Sequence, residues 1–538
     1  MPAPPPRHIT ILGAGLTGLS TAFHLSRNLP SSSKITLVEG SSRLGGWVDS
    51  RAHDVGYKDK ESGELIEGKV VLETGPRSIR PRGSRGAASM LRMIRDLGLV
   101  DSIVPIPFSH PSAKNRFLLD TSTSKLTALP SSPLSLLRSQ PPLLRGLLSS
   151  FASEPFKNRP VTAVNDESVD SFFRRRFGPN IADNLASAMV HGIYATSSKT
   201  LSLRSAFPIL WEAEQKYGSV VVGMLMGTKS RQEREEERTE WAELGVLGKE
   251  REKWSLYGLK GGLGTLTNHL KEFVIRENRV EIRSDEMVNK IEAPSRSTTT
   301  ENVGNEETTM TIHTSSGRTY ETSHLISALP SSKLPIHGLP NLSSNPSTSV
   351  GVVNLVYPLP PSAIHPPGFG YLVPRPNPST TGSNPSGVLG VIFDSTALPS
   401  DPPELGGGIT KLTLMIGGPY WSTYQPRLSP PENADDLIPL AIDHLNTVFP
   451  QLKNVEPILK IANLHTNCIP TYLPGHGDRL RELHEAIEDG PWGGRLSLVG
   501  NSYGGVGVND CVYSGELVAK GLAVGKGLTG LGKWAKWE

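Results

Sequence analysis

The first forty residues show a strand pattern, then a helical pattern, then a second strand pattern. Residues 8–12 are apolar and favour a β-strand. After a glycine cluster, the apolar residues recur on one side of a helix: Leu16, Leu19, Ala22, Phe23 and Leu25. Residues 34–39 predict the second strand. Because a β-α-β unit has a right-handed crossover, the two strands are expected to be parallel neighbours.

The pattern changes in the middle of the chain. From residue 109 to residue 227, leucine-rich helical segments are broken by prolines, which predicts a separate, largely helical region. Residues 229–253 then carry a dense run of both charge signs. Such a run indicates a solvated helix or a mobile linker rather than a binding surface.

Strand patterns return in the second half of the chain. Apolar runs predict strands at residues 254–257, 280–283 and 325–329, and strands of a second sheet at residues 351–356, 388–393 and 412–416. The polar residues 295–309 predict an exposed hairpin tip, and residues 374–387 predict a loop. The chain closes with a predicted strand at 496–499, a glycine-rich loop and a last helix from Ser514.

Composition and charge narrow the classes of protein. Lys and Arg total 55 against 52 Asp and Glu among 538 residues, so a net charge of +3 supplies no broad positive field for nucleic-acid phosphates. With only two cysteines, Cys468 and Cys511, neither a disulfide framework nor a four-thiolate metal site can form. We therefore expect no nucleic-acid partner and no metal, and we interpret both cysteines as buried small hydrophobic residues.

The N-terminus and the apolar stretches predict neither targeting nor a membrane span. Residues 1–8 run directly into the first strand pattern, which leaves no room for a signal peptide or an amphipathic presequence. A spanning helix needs about 20 apolar residues, and residues 218–228, the longest uncharged apolar stretch, provide about half of them. Any membrane contact is therefore expected at the bilayer surface.

A glycine motif follows the first predicted strand and opens the first predicted helix. It matches G-x-G-x-x-G with Gly13, Ala14, Gly15, Leu16, Thr17 and Gly18. The first glycine permits a tight turn, the second lets the backbone approach a pyrophosphate, and the third lets the helix pack closely on the sheet. Glu39, at the end of the second predicted strand, can accept hydrogen bonds from ribose hydroxyls. The combination predicts dinucleotide binding, with FAD and NAD both open.

Two further segments distinguish these cofactors. Arg43, Leu44, Gly45, Gly46 and Trp47 follow Glu39, and a second glycine-rich segment occupies residues 504–510 near the other end of the chain. The combination resembles the FAD-containing amine oxidase and desaturase superfamily. The resemblance implies FAD as cofactor, bound by a domain that several distant segments of the chain assemble.

Longer strings extend the resemblance to one family. Residues 73–81, 115–117, 368–374, 467–470 and 509–515 occur in the order of the oxygen-dependent, mitochondrial protoporphyrinogen oxidase family, which the chain resembles from about residue 8 to residue 520. Departures are the insertions at 229–253, 295–309 and 374–387, and His191 where the family often has arginine. The resemblance implies oxidation of protoporphyrinogen IX to protoporphyrin IX in haem biosynthesis, in three FAD cycles that each reduce O2 to H2O2.

The implied fold is α/β, or α+β overall, and is built on a discontinuous Rossmann-like domain. The FAD-binding domain is expected at residues 1–108, 254–330 and 485–538, a helical membrane-binding region at 109–228, a charged linker at 229–253, and a mixed-sheet substrate-binding domain at 331–484.

The resemblance also implies which residues bind FAD and substrate. FAD contacts are expected at Gly13, Ala14, Gly15, Leu16, Thr17, Gly18, Glu39, Arg43, Gly45, Gly46, Trp47, Gly75, Pro76, Arg77, Ser78, Val280, Trp421, Val506, Gly507 and Val508. Substrate contacts are expected at Arg116, as a forked anchor for a propionate, and at Gly192, Phe369, Leu372 and Met415. No catalytic side chain is expected, because hydride transfer to a flavin chiefly requires positioning.

The family further implies a peripheral protein of the mitochondrial inner membrane, on the intermembrane-space side. An interfacial surface is expected from Leu134, Leu136, Leu137, Leu143, Leu144, Leu147, Leu148 and Phe151 with Arg138 and Arg145, and ordinary helix packing is the alternative. A homodimer and ferrochelatase are expected as partners. The other functions left open are a flavin amine oxidase or carotenoid-type desaturase, and a membrane-docked flavoprotein without turnover.

Overall fold

The structure, a computed structural model, describes residues 5–58, 63–130, 142–157, 165–294, 309–376, 384–399, 405, 407–425, 427–526 and 529–536. Most of the predicted hairpin tip at 295–309, part of the predicted loop at 374–387, and Leu134, Leu136, Leu137 and Arg138 lie outside the described residues. The strands are β1 His8–Leu12, β2 Lys34–Val38, β3 Ser50–Lys58, β4 Leu65–Glu73, β5 Ile103–Pro107, β6 Phe117–Asp120, β7 Lys125–Ala128, β8 Trp254–Leu259, β9 Val280–Arg283, β10 Val288–Glu292, β11 Met310–Thr314, β12 Thr319–Thr322, β13 His324–Ser327, β14 Ser347–Tyr357, β15 Gly370–Leu372, β16 Val388–Phe393, β17 Thr410–Gly417, β18 Leu459–Pro470 and β19 Leu496–Leu498.

Helices lie between these strands and are concentrated after β7. They are α1 Leu16–Asn28, α2 Ala87–Asp96, α3 Pro111–Lys114, α4 Leu147–Ser153, α5 Val169–Phe177, α6 Pro179–Ile181, α7 Ser187–Tyr194, α8 Leu203–Ala206, α9 Pro208–Tyr217, α10 Val220–Met226, α11 Arg231–Ala242, α12 Val246–Glu250, α13 Gly264–Arg276, α14 Pro361–Ile364, α15 Asp394–Ala397, α16 Pro419–Ser422, α17 Leu437–Val448, α18 His476–Glu488 and α19 Val508–Ala523. A π-helix, Ala182–Ala186, joins α6 to α7.

The first sheet brings together distant parts of the chain. Five parallel strands pair in the order β19-β13-β1-β2-β9. Pairing of β1 with β2 along their whole length confirms the predicted parallel β-α-β unit. All five strands fall within the three ranges predicted for the FAD-binding domain. Ile9, Ile11 and Leu37 are fully buried, as expected for a parallel sheet that is covered on both faces.

The first and last long helices pack side by side against this sheet. A Cβ on Gly515 of α19 would lie 2.3 Å from Thr21 Oγ1 of α1. One turn earlier on each helix, Cys511 lies beside Thr17. Because the two contacts follow each other in the same direction, α1 and α19 are parallel and begin at the same edge of the sheet.

The predicted start of the last helix at Ser514 is wrong. The helix α19 begins six residues earlier, at Val508, directly after the extended residue Gly507. Glycines at 504, 505 and 507 were interpreted as a longer loop, whereas Gly507 is the N-cap of the helix. The earlier start places a helix N-terminus inside the glycine-rich segment.

The second large sheet has the strand order β18-β14-β17-β16-β15-β6-β7. Five of its strands come from residues 331–484, the range in which a substrate-binding domain was predicted. The other two, β6 and β7, lie in the range that was predicted to be helical. Since β6 pairs in parallel with β15, far along the chain, no local pattern could reveal its partner. Smaller sheets join β10, β11 and β12, β3 with β4, and β5 with β8.

Helices α4 to α10 surround a buried ionic cluster. The guanidinium of Arg176 is fully buried, contacts Glu214, and lies 3.3 Å from Glu154. The carboxylate of Glu154 accepts hydrogen bonds from the N–H groups of Val220 and Val221, at 2.9 and 3.1 Å. It therefore satisfies the first donors of α10, where a negative charge is also favoured by the helix dipole.

The charged stretch after this region is a surface helix. Ser230 and Glu233 form a reciprocal capping box at the start of α11, and none of the residues of α11 is buried. Residues 231–242 therefore form the solvated helix of the two predicted alternatives, whereas Leu244, further along the same stretch, is buried in the core.

The ionic cluster generates a prediction about stability. We expect Arg176→Met to lower the free energy of unfolding by about 3 kcal/mol, because it leaves buried carboxylates without their counter-charge. Chemical denaturation followed by circular dichroism measures this loss. Arg238→Met serves as the control, since its pair with Glu235 is exposed at 3.8 Å and we expect no measurable change. Equal stability of the two variants would contradict a structural role for the cluster.

Candidate active site

The glycine turn after β1 leaves no room for side chains at its two ends. Gly13 has a φ of +90°, and its N–H donates to the carbonyl of Val38 at 2.8 Å. A Cβ on Gly18 would lie 1.8 Å from the carbonyl oxygen of Gly13. Glycine is therefore required at both positions for the close approach of β1, β2 and α1 that the motif predicts.

The carboxylate of Glu39 lies against this turn. Its Oε2 accepts a hydrogen bond from the N–H of Ala14 at 2.8 Å, and its Oε1 accepts one from the N–H of Ser41 at 2.9 Å. Glu39 thus lies at the carboxyl end of β2, beside the glycine motif, which is where a ribose-binding acid is expected in a dinucleotide site.

The loop after Glu39 folds back over the motif. The N–H of Gly45 donates to the carbonyl of Ala14 at 2.8 Å, and Gly45 forms a bridge with Gly15. The guanidinium of Arg43 is exposed and donates to the carbonyl of Gly46. The structure therefore brings together two of the segments that were predicted to bind one cofactor.

Two helix N-termini meet at this edge of the sheet. Gly15 is the N-cap of α1 and Gly507 is the N-cap of α19, and no side chain caps either helix. Because the two helices are parallel neighbours, their free N–H groups and the positive ends of their dipoles lie at the same edge. Such an arrangement favours a pyrophosphate and other electron-rich groups.

Both ends of the chain contribute to the site. A Cβ on Gly500 would lie 3.3 Å from Thr17 Oγ1. The side-chain amide of Asn509 donates to the carbonyl of Arg80 at 2.9 Å. The C-terminal glycine segment is therefore seated between the first glycine motif and the residues that follow Gly75.

The segment at Gly75 is equally close to the loop after β2. A Cβ on Gly75 would lie 2.2 Å from the carbonyl oxygen of Trp47, whose side chain is partly exposed. Val506 packs against the same hydrophobic cluster as Leu372, a residue of the second sheet. The residues present fit FAD: a glycine turn and two uncapped helix ends for its phosphates, an acid for its ribose, and a C-terminal loop that reaches toward the second sheet.

Arg77 has a different partner from the one predicted. Its guanidinium is buried and donates to the carboxylate of Asp394, in α15, at 2.6 Å. This ion pair joins the segment after β4 to the second sheet. The backbone of residues 75–78 remains next to the site, and the Arg77 side chain is committed to holding the two sheets together.

Val280 was predicted to contact FAD, and the structure does not bring it to the glycine motif. Val280 is the first residue of β9 and pairs with Ile35, near the start of β2, whereas the motif lies at the carboxyl end of the strands. The segment that does reach this end begins a few residues later, since the N–H of Glu286 donates to the carbonyl of Glu39 at 2.9 Å. The apolar pattern of β9 predicted a strand, but it did not show which end of that strand lies at the glycine turn.

Trp421 lies in the core of the second sheet. Its ring packs over Gly417, where a Cβ would lie 2.3 Å from Cε3, and it belongs to the same hydrophobic cluster as Val353 and Ile416. Its contact with FAD stays a prediction.

The sequence reasoning missed one polar residue at the end of β19. The side-chain amide of Asn501 donates to the carbonyl of Cys468 at 3.1 Å, and the backbone carbonyl of Asn501 accepts a hydrogen bond from the hydroxyl of Tyr472. Asn501 follows Gly500, which faces Thr17. The signal that could have identified Asn501 is its position at the carboxyl end of a strand of the first sheet, where ligands bind in such sheets.

The residues predicted to bind substrate cluster on the second sheet. Leu372 and Met415 pair with Gly390 from its two sides, and a Cβ on Gly390 would lie 2.8 Å from Leu372 Cδ2, so the Leu372 side chain covers this glycine. A Cβ on Gly192 would lie 2.6 Å from the same Cδ2, which places α7 against Leu372. The N–H of Phe369 donates to the carbonyl of residue 115 at 3.0 Å, next to the predicted anchor. We call these residues and Arg116 the substrate cleft.

Arg116 lies at the edge of the cleft and is exposed. Since side chains alternate along a strand, Arg116 shares a face with Leu118, which pairs with Leu372. Among the described residues, its guanidinium has no hydrogen-bonded or ionic partner. Desolvation and then the charge of Arg80 lower the pKa of Arg116 below its ordinary value.

His191 carries no charge to the cleft. Its Nδ1 lies 2.7 Å from the carbonyl oxygen of Val373, so Nδ1 carries the proton and Nε2 accepts from the hydroxyl of Tyr424 at 2.7 Å. Burial lowers the pKa of His191 to about 4. The ring is therefore neutral at physiological pH, and the charge contact that was left open at this position is not made by this side chain.

The described part of the chain contains neither a cluster of metal ligands nor a membrane-spanning helix. It contains no group of three or more histidine, cysteine, aspartate or glutamate side chains arranged to hold a metal ion. No helix within it combines the length and the apolar character needed to cross a bilayer.

Comparisons with known proteins agree with this geometry. Residues 16–523 match the family of flavin containing amine oxidoreductases. A protoporphyrinogen oxidase of Macaca fascicularis is 34% identical over 95% of this chain and 98% of its own length. A protoporphyrinogen oxidase of Schizosaccharomyces pombe is 34% identical over 96% of this chain and 98% of its own.

Solved structures share the fold. An Exiguobacterium protein superposes with a TM-score of 0.67 at 21% identity, covering 96% of this chain and 98% of its own. This likeness confirms the predicted α/β fold. Taken with the near-complete sequence matches, it shows that the chain belongs to the flavin-containing amine oxidoreductases and, within them, to the protoporphyrinogen oxidase family.

Proposed function

We propose that this chain oxidises protoporphyrinogen IX to protoporphyrin IX in haem biosynthesis, with FAD as cofactor and O2 as electron acceptor. The observation that carries the proposal is its similarity, over nearly the full length of both chains, to proteins named protoporphyrinogen oxidase. When bound, FAD accepts the electrons of each two-electron step and passes them to O2, which yields H2O2.

The substrate cleft suits the proposed substrate. A porphyrinogen is a large apolar ring with two propionates at one edge, so it needs apolar walls and few polar anchors. Phe369, Leu372 and Met415 supply the walls, and the missing side chain of Gly192 lets α7 pack closely against Leu372. The unpaired guanidinium of Arg116 offers a forked pair of donors to a propionate.

The charge of the cleft favours this function over amine oxidation. An amine substrate is a cation and would be attracted by carboxylates, whereas the charged residue at the cleft edge is an arginine. The side chains of this chain therefore bind and orient an anionic substrate. No side chain is assigned a bond-making role, because positioning is what hydride transfer requires of the protein.

We further propose that the helical region docks on a membrane surface, at the inner mitochondrial membrane on its intermembrane-space side. Four exposed apolar side chains define what we call the apolar patch: Phe156, Met224, Leu225 and Met226. Phe156 is 86% exposed and Leu225 is 82% exposed. The turn at Phe156 packs against α10, which carries the other three residues. Side chains of this size favour insertion between lipid headgroups. A homodimer and ferrochelatase stay predictions.

An anaerobic mixing experiment tests the proposed reaction. We expect protoporphyrinogen IX to bleach the flavin absorbance of the purified holoprotein, and admission of air to restore it with porphyrin fluorescence. Putrescine and cyclohexylamine should leave the flavin oxidised. A flavin that stays oxidised with the porphyrinogen, or that an amine reduces, would falsify the proposal.

Substitution of the anchor tests the binding role of Arg116. We expect Arg116→Ala to raise KM for protoporphyrinogen by about tenfold to a hundredfold, because a hydrogen bond to a charged group contributes about 1.5–3 kcal/mol. The FAD content should be retained, since Arg116 lies on the second sheet. Steady-state kinetics and flavin absorbance measure both quantities, and an unchanged KM would refute the anchor.

Liposome co-sedimentation tests the apolar patch. We expect the double variant Phe156→Ser, Leu225→Ser to bind phospholipid vesicles at least about tenfold more weakly, because two large apolar contacts are lost. Val246→Ser is the matched control, since Val246 is 76% exposed but lies on α12, outside the patch. Undiminished binding by the double variant would rule the patch out as the docking surface.

A further inference from the structure

A second unpaired arginine lies close to the anchor. Arg80 is exposed and, within the described residues, makes no side-chain hydrogen bond or ion pair. Other arginines of the same segment are all paired: Arg77 with Asp394, Arg82 with the carbonyls of Arg251 and Glu252, and Arg85 with Glu233. Arg80 and Arg116 thus share a property that their neighbours lack.

The backbone of Arg80 is held at the cofactor end of the cleft. Its carbonyl accepts a hydrogen bond from the side chain of Asn509, in the first turn of α19, at 2.9 Å. The preceding residue, Ile79, is buried and bridges to Tyr257 of β8. Arg80 is therefore presented from a fixed loop rather than from a loose one.

Arg116 is held by a different part of the fold. Its carbonyl accepts from the N–H of Leu129 at 2.7 Å, which fixes it at the start of β6. The helix α3 just before it packs against β5 and against α15, the helix that holds the partner of Arg77. One arginine is thus supported by the first sheet and its loops, and the other by the second sheet.

Two neighbouring cations without a paired carboxylate are electrostatically unfavourable. The charge of Arg80 is felt at Arg116, where it adds to desolvation in lowering the pKa of Arg116. Nothing in the described part of the chain offsets this repulsion at either guanidinium. A ligand with two carboxylates would do so, since each guanidinium could accept one of them in a forked, charge-assisted contact.

We infer that Arg80 is a second carboxylate-binding residue, and that Arg80 and Arg116 together select a substrate with two neighbouring carboxylates, one for each guanidinium. This inference rests on the proposed function. The two propionates of protoporphyrinogen lie side by side on one edge of the ring, which matches two arginines at one edge of the cleft. Attachment at two points prevents the ring from turning about a single anchor, so it also fixes which carbon faces the cofactor.

The test removes the arginines and the carboxylates in turn. Arg80→Met, Arg116→Met and the double variant are prepared as holoproteins and assayed with protoporphyrinogen IX and with its dimethyl ester. With the diacid, we expect each single variant to raise KM about tenfold and the double variant about a hundredfold, since the contacts are separate. With the diester, all three should stay within about twofold of the unmodified protein, because neutral esters have no charge for either guanidinium.

Equilibrium binding separates the inference from the reaction. Quenching of porphyrin fluorescence gives the Kd of protoporphyrin IX and of its dimethyl ester for each variant. Lys114→Gln is the matched control, an exposed cation on α3 that should leave both constants unchanged. Flavin absorbance and the thermal midpoint verify that every variant retains FAD and its fold.

The outcomes are distinguishable. Arginine-dependent binding of the diacid without turnover would overturn the proposed function and keep the inference. Turnover with an unchanged KM in Arg80→Met would overturn the inference and keep the function. Equal losses for diacid and diester, or an equal loss in Lys114→Gln, would also overturn the inference, because they indicate a change of shape or a general field rather than a specific contact.

Discussion

The parallel packing of α1 against α19 is the contact on which the rest of the molecule depends. It requires glycine at 515, where a side chain would collide with Thr21. Because of it, the N-terminal glycine turn and the C-terminal loop before α19 lie at one edge of one sheet, and two uncapped helix ends face the same space. Neither end of the chain could form the cofactor site without the other. The helical region and most of the second large sheet are inserted between the segments that form this domain.

The second constraint is the polar contact between the two sheets. The ion pair of Arg77 with Asp394 continues through the hydroxyl of Thr413 to the side chain of Asn354, whose amide donates to the carbonyl of Glu73 at 3.3 Å. Buried charges contribute little net stability, but breaking one side of such a pair is costly. The network therefore acts mainly to orient the substrate cleft relative to the cofactor site.

This orientation gives the cleft its electrostatic character. Arg80 is carried by the loop that continues from Arg77, and Arg116 by the start of β6. Within the described residues neither guanidinium has an ionic partner, whereas Arg77 is paired with Asp394. The two cations are therefore available for an anionic substrate, while neutral His191 contributes no charge.

The sequence itself predicted the local features. The β-α-β unit, the glycine turn, Glu39 and the solvated helix α11 follow from hydrophobic periodicity, turn geometry and charge, which act over a few residues. The sequence did not predict the pairings between distant segments. The addition of β6 to the second sheet, the committed side chain of Arg77, the placement of Val280 away from the glycine turn and that of Trp421 in the core of the second sheet all depend on partners far along the chain. Tertiary structure alone decided them, because which end of a strand meets a site, and which cations stay unpaired, are set by packing rather than by neighbours in sequence.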